Sequence, residues 1–353
     1  MTSLASPPAV VSATQAALVQ MLYGAQTSQA IYVAAKLGIA DLLQQAPRDV
    51  TQIAADTGVD PAVLRRLLNF LVSRQLFAQR DDGLYELTAS GQLLRSDHVD
   101  SVHQRALFNA EVLYPLWGEL LHSVRSGRSA AVKAFGKPLY EHLAEQPGAR
   151  ELFDRTMASA ARFRHLPAVA ACDFSRFGTL VDIGGGNGAL LIAILQAYPG
   201  PQGIVFDHPP AIARARQAIE SAGLGDRCSV IAGNALEAVP AGGDAYILSN
   251  FLLEFDDIQA RTILGHCRSA MAGKGTLVVI EWLMPTGEDT PDPYRFWDTA
   301  SMDLIMLAIG GSEGGRVRTA PEFRALLESA GFELQRILAT GAAIRVLEAC
   351  PTE

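Results

Sequence analysis

The sequence predicts an α/β protein in which a mostly parallel, doubly wound sheet follows an N-terminal helical domain. Three observations carry this expectation. From about residue 175 the chain alternates short apolar runs with helical stretches, the first of those runs ends in a glycine cluster that opens an apolar helix, and the first hundred residues keep a helical period closed by one hairpin. A chain of 353 residues has room for two domains, because single cores rarely grow past ~250–300 residues. Apolar residues make up 49% and charged residues 19%, so the chain should fold almost throughout. Residues 1–12, MTSLASPPAVVS, are the exception: polar, Pro-containing, expected to be disordered and unlike a signal peptide.

Charge narrows the function. A formal net charge of -8 argues against nucleic acid and anionic membrane as partners, and no apolar run approaches the ~18–20 residues of a membrane span. The expectation is a cytoplasmic protein with a small-molecule ligand. Cys172, Cys228, Cys267 and Cys350 are too scattered for a zinc or redox pair and read as buried thiols, and the seven histidines form no metal-ligand pattern.

Residues 13–100 form the first expected domain. SQAIYVAAKLGIADLL places Ile31, Ala34, Ala35, Leu37, Ile39 and Leu42 on one face, with Gly38 ending a helix. A second helical stretch follows, then one opened by Asp60 as N-cap and Pro61 at its first position, then a hairpin turning at Asp82-Gly83. The outline is a winged helix. Its second helix carries Leu64, Leu67, Leu68, Phe70, Leu71 and Val72, whereas Arg65, Arg66, Arg74 and Arg80 are a thin basic supply, so packing or dimerisation is favoured over DNA binding. Residues 101–170 are expected to be a helical connector, rich in Tyr, Trp, Phe and Met, that lines a substrate pocket. Residues 171–353 carry the strands TLVDIGG, GIVFD, CSVIAG, DAYILSN and GTLVVIEWL, with ELQRILAT and AIRVLEA as a hairpin at the sheet edge.

The strongest chemical signal is LVDIGGGNGALLIAIL. Gly184, Gly185, Gly186 and Gly188 lie between a buried strand and a helix, where backbone can approach a nucleotide-like cofactor at a helix N-terminus. Gly184, Gly186 and Ala189 also satisfy the dinucleotide pattern G-x-G-x-x-G/A. Asp182 favours a cationic ligand, since a carboxylate there would repel a pyrophosphate and attract the ammonium and sulfonium of S-adenosylmethionine. Asp207, ending the next strand, is placed to grip a ribose diol.

VDIGGGNGALLIAILQAYP, FDHPPAI, EFDDIQA, VVIEWLMP and GGRVRTAPEFRALLESAGF together resemble the class I S-adenosylmethionine-dependent O-methyltransferases of the caffeate and hydroxyneurosporene type. The resemblance covers nearly the whole chain. It implies a Rossmann-like catalytic domain and a homodimer whose swapped helical domain helps roof the partner's substrate pocket. It also implies that Gly184 and Asp207 hold the methionine end and ribose of the cofactor, with Asn234 and Ala235 facing the adenine, where the family more often has Asp and a bulky residue. Ser249 stands where the family frequently has a lysine.

The departure lies in SNFLLEFDD. The family's Leu-His-Asp-Trp becomes Leu252-Leu253-Glu254-Phe255, so Leu253 occupies the place of the histidine that removes the acceptor's proton. A leucine accepts no proton. Of the two carboxylates that orient the histidine, Glu281 is kept and the other is replaced by Val317; Glu313, on a Gly-rich loop, is a weak substitute. Asp256 and Gln259 read as a helix cap. Three mechanisms stay open: an acceptor already nucleophilic that needs only positioning, Glu254 or Glu281 as base with a raised pKa, or a fold repurposed for hydroxylation, decarboxylation or a pericyclic step. Phe153, Met157, Phe296, Trp297, Met302 and Met306 are the pocket candidates, with Asp303 as a polar anchor, and they suit a flat aromatic metabolite of the antibiotic-biosynthesis kind.

Overall fold

The computed structural model describes residues 12–286, 292–311 and 314–353, with backbone only at 160–164. Glu313 and the polar stretch 1–11 lie outside the described residues. The chain divides into two compact units, Met1–Tyr114 and Pro115–Glu353.

The first unit is built as its sequence periods demand. Helix Gly24–Lys36 ends where Gly38, at φ 64°, takes the left-handed turn into the short helix Ile39–Leu42. Helix Val50–Thr57 carries a capping box between Asp49 and Gln52, and the side chain of Asp60 accepts from the N–H groups of Ala62 and Val63 to open helix Pro61–Ser73. The hairpin pairs β1 (Phe77–Gln79) with β2 (Tyr85–Leu87). Ala34, Ala35, Ile39, Ile53, Leu64, Leu68, Leu71, Phe77 and Tyr85 form its core, so helix Pro61–Ser73 spends its apolar face on packing.

In the second unit a helical layer precedes a seven-stranded sheet. Its strands are β3 (Thr179–Ile183), β4 (Gln202–Asp207), β5 (Cys228–Ala232), β6 (Ala245–Ser249), β7 (Thr276–Trp282), β8 (Phe332–Ala339) and β9 (Ile344–Pro351). Their order is β5-β4-β3-β6-β7-β9-β8, parallel from β5 to β7 and antiparallel in the closing hairpin, whose β9 pairs with β7. The chain winds outward from β3 to β5, then returns to lay β6 on the other side of β3. That reversal opens a crevice at the carboxyl ends of β3, β4 and β6, where open α/β sheets bind ligands. Two apolar clusters, one on each face, hold the sheet between helices. Cys172, Cys228 and Cys267 are buried as expected; Cys350, near the end of β9, is only half-buried because its strand runs out of the core. No helix among the described residues is long and apolar enough to cross a membrane.

Candidate active site

The glycine loop sits at the crevice. Gly184 and Gly186 have φ of 70° and 59°, conformations that strain any residue with a Cβ. At Gly184 a Cβ would also lie 2.2 Å from the ring of Phe251, so this close approach demands glycine; over Gly186 nothing lies within 4 Å, leaving its face open to a ligand. Gly188 then starts helix Ala189–Ala197. Asp207 ties the loop down: its Oδ2 accepts from the Gly186 N–H at 2.8 Å and its Oδ1 from the His208 N–H at 2.6 Å. Each oxygen keeps a lone pair for a further donor.

Asp182 lies beneath the loop, 1% exposed, with Oδ2 making no hydrogen bond. Burial, with the charge of Asp207 adding to it, raises its pKa to about 8. A buried carboxyl with an orphaned oxygen, under a loop open on its other face, is a group that a bound cation would ionise and partner. S-adenosylmethionine, with two positive charges at its methionine end, fits this donor set and dinucleotide pyrophosphate does not. At the far end of the crevice Asn234 closes an Asx turn, its Oδ1 accepting from the Leu236 N–H at 3.0 Å, and buried Ala235 presents its carbonyl to His266 Nδ1 at 2.9 Å. Gly233, whose Cβ would strike the Phe206 ring at 2.4 Å, completes that wall.

The segment after β6 explains SNFLLEFDD. Ser249 ends the strand, and Asn250 takes a left-handed φ of 50° that turns the chain. Glu281, 1% exposed on β7, accepts through Oε1 from the N–H groups of Phe251 at 2.8 Å and Leu253 at 3.3 Å, while its Oε2 has no partner. Burial raises its pKa to about 8 against the pull of those bonds. Leu253 is 4% exposed and belongs to one apolar cluster with Val317, Met302 and Met306. The position of the missing histidine and that of the missing second carboxylate have thus become core together. The sequence reading missed Arg318, which is 1% exposed and donates to the carbonyls of Leu252 and Phe255, both at 2.8 Å, and to Asp257. It clamps both ends of the turn. Its signal lay in GGRVRTAPEF, quoted above without a role.

Glu254 points the other way. It accepts from the hydroxyl of Tyr140, on helix Leu139–Glu145, at 2.6 Å. Both residues are exposed to solvent, Tyr140 at 41%, although protein atoms crowd their polar ends. Crowding raises the Glu254 pKa to about 7. Phe153, half-buried on helix Pro147–Ala171, packs edge-on against Tyr140 with ring centroids 6.0 Å apart, which puts one pocket candidate beside this pair. Met157, one helical turn on, is half-buried. On helix Pro293–Gly310, Asp303 accepts from the Val317 N–H at 2.9 Å, so one of its oxygens anchors the chain rather than a ligand. Phe296 and Trp297, at the start of the same helix, are 48% and 62% exposed and are not gathered with the others.

Comparison with known proteins agrees with this geometry. Residues 117–333 match the O-methyltransferase domain and residues 19–97 the O-methyltransferase dimerisation domain. The chain is 39% identical over 334 residues to phenazine O-methyltransferase PhzM of Lysobacter antibioticus, covering 95% of each chain. It is 34% identical over 322 residues to phenazine-1-carboxylate N-methyltransferase of Pseudomonas aeruginosa, covering 91% of this chain and 92% of that one. Among solved structures, the O-methyltransferase NcsB1 from neocarzinostatin biosynthesis, in complex with S-adenosylmethionine and 2-hydroxy-5-methyl naphthoic acid, superposes with a TM-score of 0.79 at 30% identity, over 92% of this chain and 96% of that one. The matched domains, the glycine loop and the acid-lined crevice together make the chain a member of the two-domain O-methyltransferase family, an S-adenosylmethionine-dependent methyltransferase.

Proposed function

We propose that the protein methylates a phenolic oxygen or a nitrogen of a flat aromatic specialised metabolite, with transfer driven by positioning of the acceptor against the methyl group rather than by a histidine base. The observation that carries this reading is the burial of Leu253 among apolar side chains while Glu281 is spent on the backbone of the same turn. Relatives named for O- and for N-methylation of phenazines support an acceptor of either atom, and the naphthoic acid beside the cofactor in NcsB1 supports a flat one. Nothing in the site favours a repurposed, non-methylating reaction.

The cofactor supplies an electrophilic methyl group. Asp182, Gly184 and Gly186 would hold its methionine end, Asp207 its ribose, and Asn234, Ala235 and Ser249 the adenine side. Phe153, Met157, Met302 and Met306 would press the acceptor ring into line with the methyl, a gain of orientation rather than of charge. We further read residues 13–100 as the dimerisation domain of a homodimer, 101–170 as the connector and 171–353 as the catalytic domain, in the reducing cytoplasm that free thiols suit. The test is calorimetric titration of S-adenosylmethionine and its demethylated product into the wild type and Asp207→Ala, followed by transfer of labelled methyl to a panel of hydroxy- and aza-aromatics. Micromolar binding lost in the variant, with label on an aromatic, is expected. Binding without transfer to any aromatic would overturn the reading.

A further inference from the structure

The turn that buries Leu253 carries its neighbour Glu254 outward, and the neighbour has a partner. Tyr140 donates to Oε1 of Glu254 at 2.6 Å across 114 residues of sequence. That bond fixes one carboxylate oxygen, Oε1, and the Phe153 ring packs edge-on against the same tyrosine. Glu281, the other carboxyl of this edge, is sealed from ligand at 1% exposure. Gly315 packs on the same turn so tightly that a Cβ there would lie 2.5 Å from the Glu254 carbonyl carbon, so the backbone that carries the carboxylate is held in place.

From this arrangement we infer that Tyr140 is a positioning residue that holds Glu254 as the acceptor of the proton shed by an O–H or N–H aromatic substrate. The inference deepens the methyltransferase reading and rests on it. The acceptor's proton moves to Oε2 of Glu254, the acceptor lone pair forms the bond to the methyl carbon, and the carbon–sulfur bond breaks with its electron pair going to sulfur. Glu254 then returns the proton to solvent, which reaches it. The charges that face the pair are Asp207 from the end of β4, Arg150 from helix Pro147–Ala171 and Glu281 from β7. Burial and the charge of Asp207 oppose ionisation of Glu254, whereas the Tyr140 hydrogen bond favours it, and the charge of Glu254 in turn opposes ionisation of Glu281. Burial and the Glu254 charge hold the Tyr140 phenol well above its ordinary pKa, so it stays a donor throughout the working range.

Two measurements separate this inference from the reading beneath it. Infrared pH-difference spectra of the cofactor-loaded protein, with the Glu254 carboxyl identified as the band absent from Glu254→Gln, should show Glu254 titrating near neutrality. In Tyr140→Phe the midpoint should move up by roughly one to two pH units, the worth of one hydrogen bond to a charged group. For a weakly acidic phenol, kcat should fall about 10²-fold in Glu254→Gln with KM nearly unchanged, and the acidic limb of kcat in Tyr140→Phe should move in step with the infrared midpoint. A merely structural tyrosine would move neither. A Glu254 midpoint in the ordinary carboxylate range, one indifferent to Tyr140→Phe, or turnover indifferent to Glu254→Gln would each overturn the inference. Absence of label transfer to every acceptor would instead strike the methyltransferase reading, and the infrared titration would still decide whether Tyr140 holds Glu254.

Discussion

At the scale of single residues, the site is governed by carboxyls held away from water. Asp182 and Glu281 both have pKa values near about 8 because burial disfavours their charged forms. The sign follows from linkage. A carboxyl whose folded pKa is raised stabilises the fold fully below its unfolded pKa and loses that contribution as pH rises toward the folded value. The cofactor-free protein is therefore expected to melt at lower temperature at about pH 8 than at about pH 6, with a shallower slope in Asp182→Asn, measured by differential scanning calorimetry. A cation bound over Asp182 reverses the balance by favouring the carboxylate. Calorimetry in buffers of different ionisation enthalpy should then show proton release on binding S-adenosylmethionine near about pH 7, and a wild type that releases no more than Asp182→Asn would refute the assignment. Leu253→His places an imidazole on the turn whose N–H groups bond Glu281, a carboxyl with one oxygen still unpartnered. Phenols too weakly acidic to react with the wild type should become substrates, at a stability loss of about 1–3 kcal/mol for a polar group in an apolar cluster, read from labelled-methyl assays and urea unfolding.

At the scale of elements, the turn Leu252–Glu254 is held by parts distant in sequence: Glu281 from below, Arg318 around its ends and Gly315 against its face. At Gly315 a Cβ would lie 1.6 Å from the Leu253 carbonyl oxygen, a backbone contact that no rotamer relieves. Gly315→Ala should thus displace the turn, costing about 1–3 kcal/mol in urea unfolding and most of the methyl transfer while cofactor binding persists. Arg318→Met strips partners from two carbonyls but leaves Asp257, 53% exposed, to water. The Leu252 carbonyl keeps the Phe255 N–H, so the loss should be about 1–3 kcal/mol, measured the same way, and dominated by the Phe255 carbonyl rather than by the ion pair.

At the scale of the whole molecule, helix Ala13–Leu22 buries none of its residues in its own chain, and Leu18, Met21 and Leu22 are 59%, 75% and 73% exposed. Ten residues are too few for a helix to persist alone in water. A second copy covering this helix is the expectation for a chain with a dimerisation domain. Leu18→Glu with Leu22→Glu should therefore convert a dimer into a monomer by light scattering, and an unchanged mass would remove this helix from the interface.

Much of this was legible in the sequence because it rests on local rules. Asp60 as a cap, Gly38 as a helix end, the run of apolar strands and the glycine loop between strand and helix at 184–188 are each dictated by a few consecutive residues. The same locality exposed the oddity of Leu253, since a side chain without a proton site is evident from its chemistry alone. What only the tertiary structure decided are relations between remote segments. No spacing could show that Tyr140 meets Glu254, that Arg318 closes on the carbonyls of Leu252 and Phe255, or that Phe296 and Trp297 stay at the surface while Met302 and Met306 join the cluster around Leu253. Hydrogen bonds and packing of this kind depend on where the sheet's crossover connections carry each segment, and one chain's sequence does not print those distances.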